Sequence, residues 1–104
     1  MKQYIMSVYD SKSEMFNQPI FSIAKGEALR AFSDSVNTKN SPMNNHPEDY
    51  TLFEIGTFDP EVGQIEAIAT PRSMGLATEY IQRDPQMELK ESKFGFNQDQ
   101  AKTL

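Results

Sequence analysis

The side chains best equipped for chemistry fall in the middle of the chain, where His46, Glu48, Asp49 and Glu54 lie close in sequence. Paired carboxylates can hold a divalent cation or exchange protons, so Glu48, Asp49 and Glu54 together would suit a metal-assisted nuclease. The surrounding pattern argues against that use. Neighbours on a strand point to opposite faces, and the chain has no Asp-x-Asp-x-Asp-Gly calcium loop. His46 is the single histidine, it precedes Pro47 in a polar loop, and there is no cysteine. Thiol nucleophiles and the usual Cys and His zinc sites therefore drop out. No Gly-x-Ser-x-Gly elbow surrounds a serine, and no Walker or Rossmann glycine pattern occurs. The expectation is a non-enzyme with no catalytic residue, no metal and no cofactor.

Binding is the chemistry that remains. Four tyrosines and seven phenylalanines are many for a chain of 104 residues. Phe32, Phe53 and Phe21 are expected inside. Either Tyr4 or Tyr9, with Tyr50 and Phe58, is expected on a sheet face that the helices leave uncovered. Such a face can stack the bases of single-stranded nucleic acid or bury against a second copy of the chain. Lys2, Lys12, Lys25 and Arg30 are the candidate phosphate contacts, with Arg72 as an addition, and Tyr4 and Tyr9 are the candidate stacking residues. The net charge of −5 limits this reading. No Lys or Arg occurs between Lys39 and Arg72, whereas Glu48, Asp49, Glu54, Asp59, Glu61 and Glu66 do. A stretch of that sign repels phosphate, so nucleic acid must avoid it.

The elements that position these residues can be read from periodicity. Gln3 to Tyr9 reads as a strand with Tyr4, Met6 and Val8 on one face and Ile5, Ser7 and Tyr9 on the other. Pro19 to Ala24 reads as a second short strand. Leu29, Phe32 and Val36 recur at helical spacing, which predicts a helix over Gly26 to Asn37. Tyr50 to Phe58 alternates as a strand, with Thr51, Phe53, Ile55 and Thr57 opposite Leu52, Glu54, Gly56 and Phe58. Asp59-Pro60-Glu61-Val62-Gly63 is turn chemistry, and Gln64 to Ala69 returns as the antiparallel partner. Thr70-Pro71 resembles a helix start, predicting a second helix over Pro71 to Arg83 with Met74, Ala77 and Ile81 inward.

The fold class that follows is α+β, a small mainly antiparallel sheet with two helices packed on one face. Residues 1–83 form the expected domain, and 84–104 a polar, mobile C-terminal tail with an aromatic spot at Phe94-Gly95-Phe96. No run of apolar residues approaches the roughly 18 that a membrane helix needs, and the first residues do not read as a signal peptide. A cytoplasmic location, with no membrane partner, is expected.

Several segments resemble the small nonstructural protein of gokushoviruses, a group of single-stranded DNA phages. They are MKQYIMSVYDSKSEMFNQPIF at the start, KGEALRAFSDSVN at 25–37, NNHPEDYTLFEIGTFDPEVG at 44–63 and TPRSMGLATEYI at 70–81. The resemblance covers roughly residues 1–82. It implies a phage nonstructural protein of the host cytoplasm, described as DNA-binding and linked to genome replication or packaging. The combined expectation is weak, salt-sensitive binding of single-stranded DNA by a homodimer. The alternative is an acidic protein–protein interaction module, its 48–66 hairpin turned to a viral replication protein, a procapsid component or a host factor, without DNA contact.

Overall fold

The computed structural model describes residues 1–82, so the end of the predicted second helix at Arg83 and the polar segment 84–104 lie outside the described residues. The sheet is built on β1 (Gln3–Asp10) and β4 (Tyr50–Asp59), whose antiparallel pairing runs from Gln3 opposite Phe58 to Asp10 opposite Tyr50. On its other side β1 pairs with two short strands, β2 (Met15–Phe16) and β3 (Ile20–Ser22). Pro19 falls between them and has no N–H to offer the ladder. The gap is closed locally: Asn17 N–H donates to the Val8 carbonyl at 2.8 Å, and Ser7 Oγ donates to the Asn17 carbonyl at 2.7 Å. β5 (Gln64–Leu76) is antiparallel to β4 and forms the far edge.

One long helix, α1 (Lys25–Val36), and a short one, α2 (Pro42–Asn45), lie on the same face of this sheet. Ala24 at the head of α1 has no side chain for capping, so Glu27 takes over. Its Oε1 accepts from the N–H groups of Ile23 at 3.2 Å and Ala24 at 3.4 Å, satisfying donors that a helix start leaves free. Ala28, Phe32 and Val36, spaced by four, bury against Met6, Leu52 and Ala77, with Tyr4, Val8, Met43 and Tyr80 around them. Phe32 and Tyr80 meet edge to face with centroids 5.3 Å apart. Asn37 ties the end of α1 to the C-terminal part: Nδ2 donates to the Ser33 carbonyl at 2.8 Å and the Tyr80 carbonyl at 2.9 Å, and Oδ1 accepts from Gln82 N–H at 2.8 Å.

The α+β class, with helices on one sheet face, is as expected. The second helix is not where the sequence suggested. Pro71 continues β5 instead of opening a helix, and it can because β5 is an edge strand where a missing N–H disrupts little. Gly75 has φ +123, outside any right-handed helix, and Tyr80 Cε2 would stand 2.9 Å from a Cβ there. A single 3₁₀ turn, Ala77–Tyr80, follows. Met74, Ala77 and Ile81 do face the core. Their spacing reflects a strand end and a tight turn, not an α-helix.

A second correction concerns β4. The pairing with β1 passes from Ile5 opposite Gly56 to Met6 opposite Glu54, so Ile55 is a bulge residue. An extra residue in one strand reverses the alternation beyond it. Phe53 and Phe58 consequently share a face, where unbroken alternation predicts opposite ones.

Candidate functional site

Pairing register assigns each strand residue to a face, because directly opposed residues point the same way. On the helix side lie Tyr4, Met6, Val8 and Asp10 of β1, with their partners Thr57, Glu54, Leu52 and Tyr50 of β4. Glu66 and Arg72 of β5 join them, opposite Thr57 and Glu54. The other face carries Gln3, Ile5, Ser7 and Tyr9, then Phe16, Phe21, Thr51, Phe53 and Phe58, then Ile65, Ala67, Ser73 and Leu76. None of these is charged. The sheet therefore separates its residues by charge: Asp10, Glu54, Asp59, Glu66 and Arg72 all fall on the helix side.

The proposed contacts divide accordingly. Tyr4 lies half-buried on the helix side, and Lys25 at the start of α1 places Nζ 5.2 Å from its ring centroid, within cation–π range. The same ammonium is 3.4 Å from Glu54 Oε1, and Arg72 Nη1 donates to that oxygen at 2.9 Å. Glu54 is nearly fully buried, whereas the Arg72 side chain is 60 % exposed and that of Lys25 40 %. One carboxylate thus anchors two cations whose outer parts face solvent. Lys2 continues the strip beyond Tyr4, with Nζ 3.5 Å from the equally solvated Glu66. Arg30 is exposed further along α1. Lys12 is exposed in the β1–β2 turn, its N–H held by Asp10 Oδ1 at 2.9 Å.

Tyr9 belongs to the opposite face. Its ring is 4.9 Å from Phe16 and 6.3 Å from Phe53, and Phe16 and Phe53 are 5.5 Å apart. A second pair, Phe21 and Phe58, meets at 5.7 Å across the intervening strand β1, above Ile5, which is 4 % exposed. Phe16 and Phe21 remain 44 % and 47 % exposed. Placing Phe53 and Phe21 in the helix-side core was therefore incorrect, and of that expected group only Phe32 lies there. Tyr50 likewise sits on the helix side, not the open one. Its phenol pKa is raised above the usual 10.0, by partial burial first and then by the carboxylates of Asp10 and Asp49.

The carboxylates weighed for metal chemistry do not assemble as a set. His46, Glu48 and Asp49 bring one ligand atom each within 4.8 Å of the others around the 3₁₀ turn Pro47–Asp49, and two of the three are exposed. Glu54 is committed to Arg72 and Lys25 instead. Nor does it contribute to an acidic hairpin surface. Among the described residues, no helix is long and apolar enough to cross a membrane.

Compared with known proteins, residues 3–80 match the model of one family, described as Phage ORF5 protein. No curated protein and no solved structure matches the chain.

Proposed function

The chain belongs to the Phage ORF5 protein family, and from that premise we propose that it is a non-enzymatic, gokushovirus-type phage protein that binds single-stranded DNA during genome replication or packaging. The observation that carries this reading is the strip formed by Lys2, Lys25 and Arg72 around the half-buried ring of Tyr4. The exposed ends of the three cations take phosphates, and Tyr4 offers a ring edge to a neighbouring base. Arg30 extends the track along α1. Tyr9, on the far side of the sheet, cannot share this contact.

The electrostatics set the strength. Glu54 and Glu66 offset part of the positive charge, and the whole chain carries −5. Three phosphate contacts on a single strand give a slope of roughly −2 in log K against log salt. Binding of this kind is weak and vanishes early as salt rises.

Fluorescence anisotropy of a labelled oligo-dT strand, titrated with the full chain at low salt, tests the reading. Saturable binding with that shallow slope is expected, and Lys25→Glu combined with Arg72→Glu should abolish it. No binding at concentrations on the order of tens of micromolar, where non-specific contacts begin to register, would remove the proposal.

A further inference from the structure

The open sheet face takes no part in the strip just described, and its composition restricts what can cover it. Two clusters of rings lie on it, Tyr9 with Phe16 and Phe53, and Phe21 with Phe58, and Ile65, 64 % exposed and opposite Phe58 on β5, widens the second. No strand side chain on this face is charged. A phosphate backbone laid across it would meet no cation from the strands, and a basic partner no carboxylate. A second copy of this chain meets neither obstacle. Two molecules of net charge −5 repel wherever their acidic surfaces approach. Through this face they bring together only aromatic, aliphatic and small polar groups.

From this we infer that the open face is the interface of a two-fold homodimer, sheet against sheet, with the DNA-contacting strips on the two outer, helix-bearing sides. A two-fold axis needs a self-complementary patch, and a neutral apolar surface is self-complementary in charge. The size also fits. Four strands about 4.8 Å apart and about eight residues long at ~3.3 Å each outline about 500 Å² in projection. With side-chain relief, that approaches the roughly 800 Å² per partner of a standard interface.

Sedimentation equilibrium of the full chain tests this. The expected mass is twice 11.8 kDa, and self-association should hold or strengthen slightly when salt rises from about 50 to about 500 mM, since no charges face each other and salt screens only the repulsion between the two acidic chains. Phe16→Glu with Phe21→Glu places carboxylates at exposed ring positions. Each carboxylate would be buried unpaired twice per dimer, so association should weaken at least about 100-fold. If circular dichroism shows that this variant has lost its fold, Ile65→Glu, at a still more exposed position, takes its place. A wild-type mass of 11.8 kDa up to about 100 µM, well above the micromolar dissociation constants of the weaker standard-size interfaces, overturns the inference. So does a dimer that survives both variants. A monomeric wild type whose oligo-dT binding is lost in Phe16→Glu would assign the face to DNA and end the dimer reading.

Discussion

Replacing Glu54 by glutamine should move stability and DNA affinity in opposite directions. The native carboxylate is buried and accepts from Arg72 Nη1 at 2.9 Å, with Lys25 Nζ at 3.4 Å. Glutamine keeps the shape and one acceptor oxygen but loses the charge. A charge-assisted hydrogen bond contributes ~1.5–3 kcal/mol, yet both cations are substantially solvated and recover part of this from water. The expected loss is about 1–2 kcal/mol, which for a folded unit of this size lowers Tm by about 4–16 °C. On the proposed function, binding responds the other way, because a negative charge is removed beneath the cations assigned to phosphate. One unit charge at ~6 Å in a water-like dielectric amounts to ~0.7 kcal/mol, or about threefold tighter binding. Thermal unfolding followed by circular dichroism, and oligo-dT anisotropy at fixed salt, measure the two effects on one preparation. A less stable Glu54→Gln protein with unchanged or weaker affinity would show that Lys25 and Arg72 do not face the phosphates. An unchanged Tm would refute the ion-pair reasoning itself.

Other consequences of the structure are open to simple assays. A Cβ on Gly56 would run into the backbone carbonyl oxygen of Glu66 on β5; Gly56→Ala should therefore cost about 2 kcal/mol by forcing β4 and the edge strand β5 apart, read as a shift in denaturant midpoint. Tyr50 is neutral, folded or unfolded, well below pH 10.0. Above that value the unfolded chain releases the proton first, so stability falls as pH climbs through the raised native pKa; Tyr50→Phe should lose less stability than the wild type over that alkaline range in a Tm-against-pH series. Asn37→Ala removes the two hydrogen bonds that tie the end of α1 to Tyr80 and Gln82, and a third to the Ser33 carbonyl within the helix; it should cost about 2 kcal/mol and accelerate amide exchange at Gln82, visible by hydrogen–deuterium exchange.

Local patterns carried much of this fold. The spacing of Phe32 and Val36 marked the buried stripe of α1, and the turn residues from Asp59 to Gly63 marked the hairpin. The alternation of β1 placed Tyr4 and Tyr9 on opposite faces. What sequence could not supply was register. Ile55 looks like any strand residue, and only its pairing partners reveal the bulge that brings Phe58 onto the face of Phe53. Phe16 joins Tyr9 because the Ser11–Glu14 turn sets Tyr9 opposite Phe16, which no periodicity announces. Thr70-Pro71 carried a real helix-start signal that tertiary pairing with β4 overrode.

The same limit shaped the candidate site. Lys2, Tyr4 and Lys25 were named from residue type, and the structure gathers them on one side of the sheet. The role of Glu54 was misread, because an acidic residue in an acidic stretch looks solvated until its burial is known. Arg72, eighteen residues away, is brought to it only by β5. Charge separation between the two faces arises from these long-range pairings and the bulge together.

That separation is open to an amide and side-chain NMR titration of the isotopically labelled full chain with oligo-dT. Shifts confined to Lys2, Tyr4, Lys25, Arg72 and their neighbours, with the rings of Phe16 and Phe53 unmoved, are the predicted result. Perturbation centred on Tyr9, Phe16 and Phe53, with the helix side silent, would contradict it.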